Sequence, residues 1–200
     1  MGSLLILLAF IGVLFALVLW GVGIYNGLIT ARNAYRNAFA QIDVQLQRRF
    51  DLIPNLVETA KGYLQHERQT LEAVISARSA AQAGLAAAKA APGDPAAMGR
   101  LAQSQGALDG ALGRLLAVSE AYPDLKASQT MLQLTEELTS TENKVAFARQ
   151  AYNDAVMAYN NRREVFPSSL VANNFRFRPA ALLDIPADRA EIRDVPQVRF

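Results

Sequence analysis

The sequence LLILLAFIGVLFALVLWGVGI, residues 4–24, is a stretch of twenty-one uncharged and mostly apolar residues. As a helix it would be about 30 Å long, which matches the hydrocarbon thickness of a bilayer. Backbone polar groups in lipid must be paired within their own segment, so the stretch predicts a transmembrane helix. Trp20 and Tyr25 stand at its carboxyl end, where interfacial aromatic residues are common. We therefore predict that residues 1–25 form a membrane anchor.

A cleaved signal peptide is the alternative interpretation of this stretch. Signal peptides have a basic amino end and a shorter apolar core. Residues 1–3 contain no Lys or Arg, and the apolar stretch exceeds the usual length of such a core. Both observations favour an anchor that is retained.

The charges after the anchor predict its orientation and a lipid partner. Lys and Arg near the end of a span are retained in the cytoplasm, and near an anionic leaflet each contributes about 1 kcal/mol. We expect the amino terminus outside and the bundle in the cytoplasm, with a periplasmic bundle as the alternative. The predicted membrane-interface residues are Trp20, Tyr25, Arg32 and Arg36.

Composition excludes several classes of function. The net charge of +2 is too small for a nucleic-acid surface, and the absence of Cys with a single His excludes thiolate and multi-histidine metal sites. His66-Glu67 would need a second histidine at position 70 for a zinc-protease motif, but that residue is Thr70. No catalytic constellation is recognisable, so we predict a protein that is not an enzyme and has no catalytic residues, cofactor or metal.

Apolar residues at helical spacing predict an all-α fold, an N-terminal transmembrane helix followed by an antiparallel, up-and-down four-helix bundle. The expected helices cover residues 26–51, 54–91, 95–121 and 125–165. Pro54 interrupts the first pattern, and whether it marks a reversal, with Asp51 as a cap, or only a kink stays open. Pro92-Gly93-Asp94-Pro95 predicts a hairpin tip in which Asp94 caps the next helix.

The last two helices differ in how well the sequence specifies them. Gly99, Gly106, Gly110 and Gly113 loosen the third helix, which we explain by close contact with another helix. The fourth helix has a coiled-coil-like apolar seam. Residues 167–200 contain several prolines and are expected to form an extended, non-helical tail. The seam residues are Met131, Leu134, Leu138, Thr141, Val145, Ala148, Tyr152, Ala155 and Tyr159.

Several motifs together resemble the LemA family of bacteria. They include Tyr25-Asn26-Gly27-Leu28, the sequence QIDVQLQRRFDLIPNLVE at residues 41–58, EAYPDLKA at 120–127 and RQAYN at 149–153. The resemblance implies a single-pass protein of the bacterial inner membrane with an elongated helical bundle and no established biochemical activity. It also implies two associations, with a membrane zinc protease of the HtpX type and with magnetosome membranes.

Two functional hypotheses follow. The first is a membrane-anchored scaffold that works as a homo-oligomer. Gly23 and Gly27 are candidate contacts because small residues at this spacing let helices approach closely, and Phe175 and Phe177 are candidates because they alternate with Arg176 and Arg178. The second is a regulatory adaptor of a membrane protease, with a partner site near Arg48, Arg49 and Asp51. A local Arg–Asp ion pair is the simpler interpretation of that second group.

The position of the last helix depends on Pro54. If Pro54 reverses the chain, the last helix returns to the membrane and places Phe166 there, with Tyr25 facing Tyr152 or Tyr159. If Pro54 is only a kink, the last helix is expected to end far from the bilayer.

Overall fold

The computed structural model describes residues 1–64 and 66–184, and these residues contain six helices and no strand. The all-α prediction is therefore confirmed. Of the extended tail expected at residues 167–200, residues 185–200 lie outside the described residues. The helices are α1 (Gly2–Lys61), α2 (Arg68–Ala90), α3 (Pro95–Ser119), α4 (Pro123–Lys126), α5 (Gln129–Glu164) and α6 (Ser168–Asn174).

The long helices form two antiparallel pairs. α1 packs along α5, α2 packs along α3, and α1 also contacts α2. The chain runs away from the apolar end in α1, back in α2, away in α3 and back in α5. The return of α5 places the Arg162 guanidinium in the space where a side chain on Gly27 would lie.

Pro54 neither reverses the chain nor sends the last helix away from the anchor. The anchor and the first bundle helix are one continuous helix with Pro54 inside it, so the expected boundary at residues 51–54 is wrong. The reversal occurs between the end of α1 at Lys61 and the start of α2 at Arg68. Asp51 is exposed inside α1 and caps no helix. The chain still makes four passes because the turn comes later in the sequence than Pro54.

Arg78 compensates for the hydrogen bond that Pro54 cannot donate. In an unbroken helix the N–H of residue 54 would bond to the carbonyl of Phe50, and proline has no N–H. Arg78 of α2 donates its Nε–H to the Phe50 oxygen at 2.8 Å. A charged donor from the neighbouring helix thus satisfies the acceptor that the proline leaves free.

The core lies between the apolar faces that the periodicity predicted. On α1, the apolar residues that recur at steps of three and four are buried at Leu28, Tyr35 and Phe39, continuing to Ile42 and Leu46. Every residue of the predicted α5 seam is buried or half-buried. The amide residues on the neighbouring stripe of α1, Asn33, Asn37 and Gln41, are exposed.

The explanation offered for the glycines of α3 is wrong for Gly99, Gly110 and Gly113. A Cβ at Gly99, Gly110 or Gly113 would have no atom within 4 Å, so these residues face outward. The close approach occurs instead at Gly84 of α2, where a Cβ would lie 3.3 Å from the Leu101 Cα. Asp94 caps α3 as predicted, accepting from the Ala97 N–H at 2.9 Å.

The tail is only partly extended. Residues 168–174 form α6, which the proline content did not predict. This helix buries Ala172 and packs on both α1 and α5. Tertiary packing therefore determines the conformation of a segment with weak local helical signals.

We predict that Arg78 and Pro54 are energetically coupled. Arg78→Met should lower the free energy of unfolding by about 1–3 kcal/mol, because the Phe50 carbonyl loses its donor. In a Pro54→Ala background the same change should have a smaller effect, since the alanine N–H can donate that bond. Chemical unfolding of the full chain in detergent, followed by circular dichroism, measures all four variants. Arg100→Met, at an exposed position of α3, is the control. Equal effects of Arg78→Met in both backgrounds would contradict the coupling.

Candidate membrane-proximal site

The site lies where α5 returns to the end of the apolar stretch, and we call it the basal site. It is formed by residues 25–36 of α1, residues 152–164 of α5, α6 and the segment 175–183. α5 ends at Glu164, just before Phe166-Pro167 as predicted. After α6 the chain turns and runs back along α5. Segments that are distant in the sequence therefore meet at one end of the bundle.

An aromatic and basic cluster joins the tail to α1. The ring of Tyr25 contacts the rings of Phe175 and Phe177, with centroids 4.9 and 5.6 Å apart. The guanidinium carbon of Arg32 lies 5.4 Å from the centroid of Phe177. Four of the residues singled out by sequence therefore come together. Tyr25 does not face Tyr152 or Tyr159 as expected, because Tyr35 occupies that position, with ring centroids 6.3 and 5.2 Å away.

The other residues singled out at the membrane end lie apart from this cluster. Trp20 is exposed on the apolar part of α1, and Arg36 is exposed beside the cluster. A Cβ on Gly23 would meet nothing within 4 Å, whereas the space beside Gly27 is filled by Arg162 of the same chain. Gly23 thus faces outward, and Gly27 accommodates an internal contact.

The group near Pro54 is distant from the basal site. Arg48 and Asp51 are exposed on α1. Arg49 is buried and forms an ion pair with Asp109 of α3 at 2.6 Å. The carboxylate that pairs with Arg49 is therefore on another helix and is not Asp51.

A basic cavity of about 680 Å³ opens at the basal site. Asp94 is the one carboxylate among the described residues that line it, and that group already caps α3. Lys89, at its edge, also pairs with Asp43 at 2.7 Å. Arg32 Nε is buried and has no hydrogen-bond partner among the described residues. The cations that line the cavity are Arg32, Arg36, Lys89, Arg176 and Arg178. This composition suits an anion.

Two Tyr-Asn pairs on α5 hold the tail in place. Asn160 donates to the Ala180 carbonyl at 2.8 Å and accepts from the Ala180 N–H at 3.0 Å. Asn153 forms the same pair of bonds with Leu183, at 3.3 and 2.9 Å. The preceding tyrosines donate to tail carbonyls, Tyr159 to Arg178 and Tyr152 to Ala181, each at 2.8 Å.

This role of the Tyr-Asn pairs was not predicted, although the sequence contains a signal for it. The two dipeptides are separated by about two helical turns, which places both on the same face of α5. Their amides form hydrogen bonds with the backbone N–H and C=O groups of an extended segment, as a neighbouring strand would. The partner segment itself has no motif that would have indicated the pairing.

The two tyrosines are in surroundings that favour their neutral form. Burial raises the pKa of Tyr152 far above its ordinary value, and nearby Tyr35 raises it further. The same two causes raise the pKa of Tyr159, and three nearby arginines lower it in part. Neutral hydroxyl groups can donate to the tail carbonyls, which is the function that the structure shows for them.

The chemistry of the described residues is that of a binding surface. They contain no group of three His, Cys, Asp or Glu residues that could hold a metal. The basal site instead combines guanidinium groups, aromatic rings and an apolar helix. Such a combination can bind anions and apolar groups.

We predict that Asn160 controls access to the tail. Asn160→Ala removes two hydrogen bonds to Ala180, so trypsin should cleave after Arg176 about tenfold faster. Asn161→Ala, at the adjacent exposed position, should leave the rate unchanged. Mass spectrometry of timed digests of the full chain measures both rates. Similar rates for the two variants would show that Asn160 does not hold the tail.

The tyrosine pKa values predict a loss of stability at high pH. A raised pKa stabilises the fold fully below the unfolded tyrosine pKa of about 10, and this contribution disappears as the pH rises through the raised value. The thermal midpoint should therefore fall above about pH 10. Tyr152→Phe should be less stable at neutral pH but decline less steeply. Circular dichroism at a series of pH values measures the thermal midpoints of the unchanged protein and of Tyr152→Phe. Equal slopes of the midpoint against pH would contradict the prediction.

Comparison with known proteins identifies the family. A family model described as the LemA family matches residues 38–200. Protein LemA of Metamycoplasma hominis is 25% identical over 179 residues, covering 86% of this chain and 77% of the relative. Magnetosome protein MamQ 2 of Paramagnetospirillum magneticum is 26% identical over 166 residues, covering 74% of this chain. Magnetosome protein MamQ of Magnetospirillum gryphiswaldense is 26% identical over 154 residues, covering 68% of this chain. The matches span 60% and 56% of the two magnetosome proteins. Because the family model covers most of the sequence, the chain belongs to the LemA family.

Proposed function

We propose that the protein is a membrane-anchored, non-enzymatic scaffold that assembles as a homo-oligomer and organises the membrane to which it is attached. The basal site is the observation that carries this proposal. α1 is long and apolar enough to cross a bilayer, and it continues directly into the bundle. Aromatic and basic side chains surround the point where it would leave the lipid, as is common for residues at a membrane interface.

Membrane lipid is the proposed partner of the basal site. Arg32 is eight residues beyond Ile24, about 12 Å along the helix, and its side chain can reach toward the headgroups. The other cations of the basic cavity come from α1, α2 and the tail. Their number supports an anionic leaflet as the partner and favours a cytoplasmic bundle at the inner membrane.

The outer face of α3 supports assembly of several copies. Its exposed residues include small side chains, and the outward-facing glycines leave open space beside the backbone. Small residues allow a second helix to approach closely. The magnetosome proteins among the relatives are named for a membrane-bounded structure, which fits an organising role. The small residues are Ala96, Gly99, Ala107, Gly110, Gly113 and Ala117.

A regulatory adaptor of a membrane protease is the alternative that the family resemblance suggested. Its expected contact region includes Arg49 and Phe50, and both are buried inside the bundle. Among residues 48–54, only Arg48, Asp51 and Pro54 are exposed and could form the partner surface. The scaffold is therefore the function that the geometry supports better.

We predict that the full chain is a homo-oligomer and that α3 contributes to its interface. Light scattering after size exclusion, in detergent and in nanodiscs, should give several times the monomer mass. Gly110→Arg should reduce this mass because the larger side chain occupies the face of α3. Gln133→Arg, at an exposed position of α5, is the matched control. A monomer at micromolar concentration in both media would end the proposal of self-assembly.

A further inference from the structure

The hairpin between α5 and α6 reaches past the end of the bundle and lies against the apolar part of α1. Val171 and Phe175, from α6 and the residue that follows it, line a groove of about 400 Å³. The opposite wall is formed by Val18, Gly21, Val22 and Tyr25 of α1. The hairpin thus packs on residues that the sequence assigns to the membrane span.

The depth of this contact can be estimated from helix geometry. Val18 is six residues before Ile24, so it lies about 9 Å inside the apolar stretch. Helices that lie in a membrane interface are buried about 5–10 Å into the boundary between headgroups and acyl chains. A span placed in the bilayer would therefore bring α6 to the depth at which interfacial helices lie.

The hairpin exposes several large apolar side chains, next to the exposed Asn173 and Asn174 at the end of α6. The relative exposures are 79% for Phe166, 63% for Leu170, 58% for Phe175 and 54% for Val165. Four large apolar side chains so close together are unusual on a surface that faces water. Arg176, which directly follows Phe175, is exposed and can reach lipid headgroups, whereas Arg163 pairs with Glu164 at 2.7 Å.

We propose that residues 165–175 insert into the leaflet from which α1 emerges and form a second, shallow attachment to the bilayer. The proposal rests on the membrane anchoring described under the proposed function. A bilayer is the occupant of this apolar surface because the surface is continuous with the apolar face of α1 and lies at the same depth. α5 leads into the hairpin, and the Tyr-Asn pairs of α5 hold the tail segment that follows it. The hairpin is therefore fixed at both of its ends.

Site-specific fluorescence in vesicles tests the insertion. The sequence has no cysteine, so single cysteines can be introduced at Leu170, Val18 and Phe147 and labelled with a polarity-sensitive dye. The full chain is reconstituted in vesicles of phosphatidylethanolamine and phosphatidylglycerol, with and without brominated acyl chains. Phe147 is the matched control, since it is 73% exposed but lies about 22 Å up α5 from Arg162.

The expected result is strong quenching by brominated lipid at Val18 and Leu170 and several-fold weaker quenching at Phe147. A label at Leu170 that behaves like the one at Phe147, with Val18 still quenched, would overturn the insertion and leave the anchor intact. An apolar emission from Leu170 without quenching would identify a second copy as the occupant and also overturn it. Absence of quenching at Val18 would contradict the membrane anchoring itself, and the insertion with it.

Discussion

The hydrogen bond from Arg78 to the Phe50 carbonyl allows α1 to continue through Pro54. A proline in a helix interior costs about 3 kcal/mol, partly because a carbonyl loses its donor. Arg78 restores a donor at 2.8 Å from a different helix. The position of α2 therefore offsets part of the cost of Pro54, and the continuous α1 provides the long surface on which α5 packs. Because α5 follows that surface to its end, the tail reaches the apolar stretch, and the basal site depends on this arrangement.

The sequence predicted those parts of the fold that arise from repeated local patterns. The apolar stretch, the face containing Tyr35 and Phe39, the α5 seam and the Asp94 cap follow from helical periodicity or from the chemistry of a single residue. The helix boundary expected at Pro54 was wrong because local rules treat proline as a helix breaker, whereas the compensating donor comes from Arg78 on another helix. Gly99, Gly110 and Gly113 of α3 were misinterpreted for a related reason. Their spacing indicates small residues but does not show which side of the helix faces a neighbour.

The basal site illustrates the same limit for function. Tyr25 and Arg32 could be selected from charge and position near the span, and Phe175 and Phe177 from their alternation with arginines. Their contact with one another could not be predicted, because it requires the tail to run back along α5. The Tyr-Asn pairs make that path possible by bonding to the backbone, which has the same groups at nearly every residue. A segment that is bound through its backbone needs no particular side chains, so its sequence does not indicate the contact.

Because α1 is continuous, a tilt at its apolar end would also move its far end. From Ile24 to Lys61 the helix extends about 55 Å beyond the apolar stretch, and its junction with the bundle contains no hinge. A span tilted by about 20°, which is ordinary for a single helix, would displace the far tip sideways by roughly 20 Å. The angle of a short segment inside the lipid would thus determine where the end of α1 lies above the surface. Changes in bilayer thickness, which alter such tilts, would be converted into movements of the distal turn.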